Sequence, residues 1–127
     1  MRVVGVPVGT EQFQRDFLQK AVNGEPAELV RALVPIEDAQ ASFQILCLYA
    51  TSRLSYLLRT VPPFLTCQAA ANYDALVEWA LASIIAGDGA TAAGLPTPEE
   101  ALKQAHLPIR EGGLGLTSRS SIRGAAY

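Results

Sequence analysis

The sequence has few of the residues that metal centres and disulfide frameworks need. It contains two cysteines, one histidine and one tryptophan among 127 residues. Cys47 and Cys67 form no CxxC pair and have no histidine cluster nearby, so we predict two reduced and largely buried thiols. The scarcity of cysteine and the absence of a signal peptide favour an intracellular protein, in the cytoplasm or the nucleus.

Charge is also scarce, and neither sign dominates. Charged residues make up 17% of the chain and the net charge is −2, whereas a free-standing nucleic-acid binder is usually basic. A local basic patch is still compatible with this balance.

The long apolar segment 41–59 contains Gln44, Thr51 and Arg53, which favours a buried helix over a membrane span. Half of the residues are apolar, enough to build the core of one domain.

Apolar periodicity and capping residues predict a mainly helical chain. The segment "RVVGVPVG" predicts an edge strand, and Thr10 and Asp38 are good caps for the helices that follow. Thr97 with Pro98 forms a strong start for a short helix that ends near His106. Helices are predicted over 11–22, 26–33, 38–60, 66–86 and 98–106.

The two longest predicted helices each carry an apolar stripe. The stripe of the helix over 38–60 consists of Phe43, Leu46, Cys47, Ala50, Leu54, Leu57 and Leu58. The stripe of the helix over 66–86 consists of Ala69, Tyr73, Leu76, Ala80 and Ile84. We predict that Asn72, Asp74 and Glu78 lie on the outer face of the second of these helices.

The stretch "LPIREGGLGLTSR" (107–119) contains three glycines but matches no phosphate-binding motif. A Walker loop needs a lysine after its glycines, and a dinucleotide fingerprint needs glycine where Ser118 stands. Leu107 and Ile109 alternate on one side of Glu-Gly-Gly, and Leu114 and Leu116 alternate on the other. This pattern predicts a β-hairpin, with the glycines supplying the positive φ of the turn. Ser118 or Ser120 then caps a last helix.

We find no catalytic constellation, because His106 has no partner at ligand spacing. One arrangement suits nucleic acid: Tyr49, Arg53 and Tyr56 are spaced i, i+4 and i+7, and an arginine between tyrosines can stack on bases or meet a sugar–phosphate backbone. Arg59 follows on another side of the helix. The alternative is that both tyrosines pack into the bundle while Arg53 extends to water.

The segment from Arg110 onwards is the only clearly basic one, with Arg119 and Arg123 against the single acid Glu111. Arginines there are candidates for phosphate contacts. The candidate nucleic-acid-binding residues are therefore Arg53, Tyr56, Arg59, Arg110 and Arg119.

Three segments occur in an order that resembles a known family. They are "VVGVPVGTEQF" (3–13), "SRLSYLLRTVPP" (52–63) and "LPIREGGLGL" (107–116). This order is similar to the region downstream of the palm in reverse transcriptases of non-LTR retrotransposons. There the first segment leaves the palm, the second ends a helix of the thumb, and the third forms a hairpin. The resemblance spans essentially the whole chain, and it departs from the family at "NGEP" (23–26), where the family has a continuous charged helix.

The resemblance implies a fragment that cannot polymerise by itself. In the family, palm aspartates, including a Tyr-x-Asp-Asp motif, bind two magnesium ions, and no such motif occurs in this chain. We therefore expect no cofactor and no metal here. The implied partners are an RNA–DNA or DNA duplex, the missing palm or a second copy of the chain, with no membrane partner.

The predicted architecture is a thumb-like bundle of three to four helices with an N-terminal edge strand and a small C-terminal hairpin. Its expected divisions are a strand over 1–9, helices over 10–86, a linker over 87–97 and a short helix, hairpin and truncated helix over 98–127. The expected role is sequence-independent binding of a primer–template duplex. The alternative is a small helical protein-interaction module with apolar surface exposed on the first strand and the hairpin.

Overall fold

The computed structural model describes residues 2–3, 5–86 and 99–127. The chain begins with two short antiparallel strands, β1 (Arg2–Val3) and β2 (Val6–Pro7). The β structure predicted within 1–9 is therefore present, but as two short strands instead of one. The chain reverses at Gly5, whose φ of +83° is easily adopted only by glycine. This turn leaves both strands only two residues each.

The next two helices follow the local signals of the sequence. Helix α1 (Glu11–Asn23) begins at Thr10, whose hydroxyl accepts a hydrogen bond from the amide of Phe13. Helix α2 (Glu25–Leu33) starts directly after Gly24, with Pro26 in its first turn. The interruption predicted at 23–26 is thus confirmed, and it is a single residue long.

The helix predicted over 38–60 is broken into three pieces. Helix α3 (Ala39–Ile45), capped by Asp38 as predicted, runs into a π-helical turn (Leu46–Ala50), and helix α4 (Ser55–Thr60) follows after a turn at 51–54. The amide of Thr51 bonds to the carbonyl of Leu46, five residues back. Most of the apolar stripe is buried despite the break, since four of its members lie in the core: Leu46, Ala50, Leu54 and Leu58. Its other members, Phe43, Cys47 and Leu57, are partly buried against that core.

Helix α5 (Pro63–Ala86) lies at the centre of the molecule. It begins at Pro63, three residues earlier than predicted, because Pro62 ends the previous helix and Pro63 suits a first turn. Helices α1 to α4 and the C-terminal helix all contact it. Its buried residues are Leu65, Thr66, Ala69, Ala70, Tyr73, Val77, Ala80, Leu81 and Ile84.

The C-terminal part contains helix α6 (Glu99–His106), a 3₁₀ turn (Ile109–Glu111) and helix α7 (Arg119–Ala126). Ser118 caps α7, as predicted, and accepts from the amide of Ser121. The predicted linker over 87–97 and the predicted start of α6 at Thr97 and Pro98 lie outside the described residues.

The hairpin predicted over 107–116 is wrong. The carbonyl of Pro108 accepts hydrogen bonds from the amides of Glu111 and Gly113, so the chain closes a local 3₁₀ turn instead of a strand ladder. Gly112 does supply a positive φ, at +80°. Gly113 lets the two arms approach closely, since a Cβ built there would lie 2.0 Å from the carbonyl oxygen of Leu107.

The fold is mainly α, as predicted. No helix in the described part of the chain is both long and apolar enough to cross a membrane. Both cysteines are free, but the expectation that both are buried is wrong, because Cys67 is exposed on α5. Cys47 is half-buried, and this burial raises the pKa of its thiol.

Candidate nucleic-acid interface

Arg53 and Tyr56, two of the candidate contact residues, line the same groove. Arg53 lies in the turn that follows the π-helical segment, and Tyr56 lies in the first turn of α4. Together with Lys20 of α1 they border a cavity of about 460 Å³, which we call the α1–α4 groove. These two side chains share the groove although the predicted long helix is broken beside them.

Two glycines bring backbone to the rim of the groove. Gly24 separates α1 from α2, and Gly5 forms the turn between the two strands. A Cβ built on Gly5 would lie 3.7 Å from Cε1 of Tyr56, so the edge of the tyrosine ring lies beside this turn. The N-terminal strands thus support one side of a ring that is 49% exposed.

The charges of the groove are two cations and one carboxylate. Nη1 of Arg53 lies 3.3 Å from Oε1 of Glu25, and the two side chains are 47% and 76% exposed. An ion pair this exposed contributes at most about 1 kcal/mol, so a ligand can replace either partner. Lys20 also lines the groove and is exposed. The groove therefore has a local positive excess in a chain whose net charge is −2.

The other predicted contact residues lie elsewhere. Arg59 is exposed in the last turn of α4 and does not line the groove. Arg110 is 84% exposed in the 3₁₀ turn, with its Nε 3.4 Å from Glu111. Tyr49 is 62% exposed on the π-helical turn and does not line the groove either.

Arg119 serves the interior of the protein and is not open to a phosphate. Its residue is only 6% exposed, and its guanidinium donates to Oγ of Ser55 at 3.1 Å and to the carbonyl of Thr117. Burial lowers the pKa of Arg119, while the nearby charge of Asp74 opposes that shift. We therefore remove Arg119 from the proposed contact surface.

The sequence reasoning missed the group that holds Arg119 in place. The Asp74 carboxylate, predicted to face outward, accepts three hydrogen bonds from the start of α7: from Oγ of Ser118 at 2.7 Å and from the amides of Arg119 at 2.7 Å and Ser120 at 2.9 Å. We call this arrangement the Asp74 cap. It places a negative charge at a helix N-terminus, where the helix dipole favours it.

Two further long-range contacts hold the helices around the groove and the C-terminal segment. The buried hydroxyl of Tyr73 donates to the carbonyl of Ala50 at 2.7 Å, and burial raises the pKa of Tyr73 to about 12 although the charges of Arg119 and Arg53 lower it. His106 ends α6, as predicted, and its ring nitrogens lie 2.8 Å from the carbonyl of Leu116 and 3.1 Å from Glu78. Glu78 was predicted to face outward, and this contact instead joins it to the C-terminal segment.

The described residues hold no group of three or more His, Cys, Asp or Glu side chains that could bind a metal ion. Compared with known proteins, the chain matches no family model, no curated protein and no solved structure.

Proposed function

We propose that this chain is a thumb-like domain that binds the backbone of a nucleic-acid duplex through the α1–α4 groove. The observation that carries the proposal is the presence of Arg53, Tyr56 and Lys20 around one cavity. The segment that supplies Arg53 and Tyr56, "SRLSYLLRTVPP", is also the one that resembles the end of a thumb helix in non-LTR reverse transcriptases.

The proposed binding is electrostatic and independent of sequence. Lys20 and Arg53 contact phosphates at the groove, and the exposed Arg59 and Arg110 stay candidates for separate phosphate contacts outside it. Each phosphate neutralised releases counterions, so binding weakens in proportion to the logarithm of the salt concentration. The chain has no polymerase activity by itself in this proposal, because it lacks the Tyr-x-Asp-Asp motif of the family.

The test is fluorescence anisotropy of a labelled, blunt RNA–DNA hybrid titrated with the chain at several salt concentrations. We expect Arg53→Ala to weaken binding and to reduce the salt slope by about 0.9, the value for one phosphate contact. Arg15→Ala is the matched control, since Arg15 is 55% exposed and also pairs with a glutamate, Glu11 at 3.8 Å. Equal losses in the two variants would remove Arg53 from the interface.

A second candidate function is protein interaction, and the exposed face of α5 favours it. This 24-residue helix contains no lysine or arginine that could contact phosphates. It does expose large apolar side chains, since Phe64, Trp79 and Ile85 are 62%, 43% and 66% exposed. Ile109, in the segment where we predicted exposed apolar surface, is 79% exposed. Apolar surface of this kind is typical of interaction sites. Concentration-dependent self-association without nucleic-acid binding, measured by analytical ultracentrifugation, would favour this candidate over the first.

A further inference from the structure

The α1–α4 groove is open to solvent and is lined by both apolar and charged side chains. Its volume of about 460 Å³ lies within the range of small-molecule sites, roughly 300–1,000 Å³. The phosphates of a duplex lie on a convex surface, and they reach exposed cations without entering a cavity. A group that has left the duplex, such as an unpaired base, can enter the groove beside these cations.

The walls of the groove combine apolar and cationic side chains. The Tyr56 ring is 49% exposed at one wall, and Lys20 and Arg53 supply positive charge. Such walls suit a ligand with a flat, partly apolar body and an anionic group. An unpaired nucleotide has both, because its base stacks on aromatic rings and its phosphate pairs with cations. The apolar lining residues are Phe17, Ala21, Pro26, Leu54 and Leu57.

The carboxylate in the groove adds a preference among bases. Oε1 of Glu25 lies 3.3 Å from Arg53, and the exposure of both side chains makes their pairing weak enough for a ligand to replace. Carboxylates accept hydrogen bonds from exocyclic amino groups such as N4 of cytosine. Thymine and uracil have no such group, so Glu25 favours the other bases.

We propose that the groove binds one unpaired nucleotide at the end of a duplex, with its base against Tyr56 and its phosphate against Arg53 and Lys20. Glu25 accepts from the amino group of the base. The inference rests on the proposed function in that the same groove contacts the duplex, and it names the ligand as a single-stranded overhang.

The experiment compares three labelled hybrids of equal duplex length by anisotropy at one salt concentration: blunt, with a short dC overhang and with a dT overhang. We expect the dC overhang to bind about tenfold more tightly than the blunt hybrid, the scale of one stacked base. The dT overhang should gain less. In Glu25→Gln the difference between dC and dT should shrink.

Tyr56→Ala and Tyr56→Phe separate stacking from other effects of the ring. Tyr56→Phe keeps the aromatic face and should keep the gain from the overhang, whereas Tyr56→Ala should abolish that gain. Circular dichroism and thermal melting verify that both variants are folded. Equal binding of blunt and overhang hybrids, or an equal loss for both in Tyr56→Ala, overturns the inference.

The outcomes also distinguish this inference from the proposed function. Salt-dependent binding of the blunt hybrid without any gain from an overhang defeats the inference alone. Overhang binding that depends on Tyr56, with no binding of the blunt hybrid, defeats the duplex proposal and supports the nucleotide site. No binding of any hybrid by the folded chain defeats both.

Discussion

Replacement of Asp74 by alanine should destabilise the C-terminal part of the fold more than any other single loss of a carboxylate among the described residues. The substitution removes the acceptor of three hydrogen bonds, at 2.7, 2.7 and 2.9 Å. It leaves the amides of Arg119 and Ser120 without their acceptor, and it takes a negative charge away from the buried guanidinium of Arg119.

The magnitude follows from the nature of these bonds. A hydrogen bond to a charged group contributes about 1.5–3 kcal/mol, and contributions within one cluster overlap. We therefore expect Asp74→Ala to lower the free energy of unfolding by about 3 kcal/mol, which is a large part of the roughly 5–15 kcal/mol typical of a domain. Asp74→Asn keeps one acceptor oxygen and should cost about half as much.

The assay is urea unfolding followed by circular dichroism, with hydrogen exchange of the peptide that covers α7. Asp16→Ala is the control, since Asp16 is exposed and accepts one hydrogen bond, from Gln12. Its cost should be within about 0.5 kcal/mol of zero. If Asp74→Ala unfolds with the same free energy as this control and α7 stays protected from exchange, the importance we assign to the Asp74 cap is wrong.

Three other substitutions test separate features. Burial raises the pKa of Tyr73 from 10.0 to about 12, so the stabilisation that comes from its protonated hydroxyl is complete below pH 10 and is lost as the pH rises to 12. In urea unfolding at several pH values, Tyr73→Phe should abolish this alkaline decrease in the free energy of unfolding. Gly113→Ala should destabilise the protein by more than about 2 kcal/mol in thermal melts, because its Cβ would overlap the Leu107 carbonyl. Gly112 has open space around it, so Gly112→Ala should cost only about 1 kcal/mol, from the strain of a left-handed backbone. Equal costs for the two variants would contradict this explanation. His106→Ala should speed amide exchange in the 107–116 segment without slowing exchange elsewhere, and unchanged exchange there would refute the contact's role.

Helix starts could be predicted from the sequence because their signals are local. Thr10, Asp38 and Ser118 cap helices in the structure as predicted, and each acts on an amide three residues away. The interruption at Gly24 is equally local, because glycine weakens a helix wherever it stands. The burial of the apolar stripes could also be predicted, since it depends on the spacing of residues along one segment.

The contacts that fix the C-terminal part could not be predicted in this way. Asp74 and Ser120 are 46 residues apart, and nothing near Asp74 distinguishes a carboxylate that caps a distant helix from one that faces water. The hairpin predicted over 107–116 was wrong because short apolar alternation around glycines does not distinguish a hairpin from a 3₁₀ turn. In the candidate site, the pairing of Arg53 with Tyr56 was predictable, while Lys20 and Glu25 join it only through the packing of α1 and α2.

The π-helical turn has a consequence for how the chain tolerates changes in length. A π turn contains one residue more than an α-helix would use over the same span, so the deletion of one residue within 46–50 would restore regular helical spacing. Because the π turn already absorbs the additional residue, α3 and the residues that follow would keep their orientation relative to each other. Both ends would therefore keep their apolar faces in the core. A deletion of one residue inside a regular helix has the opposite effect, because it rotates the two ends by about 100° relative to each other. We therefore expect a one-residue deletion within 46–50 to be tolerated better than one within α1.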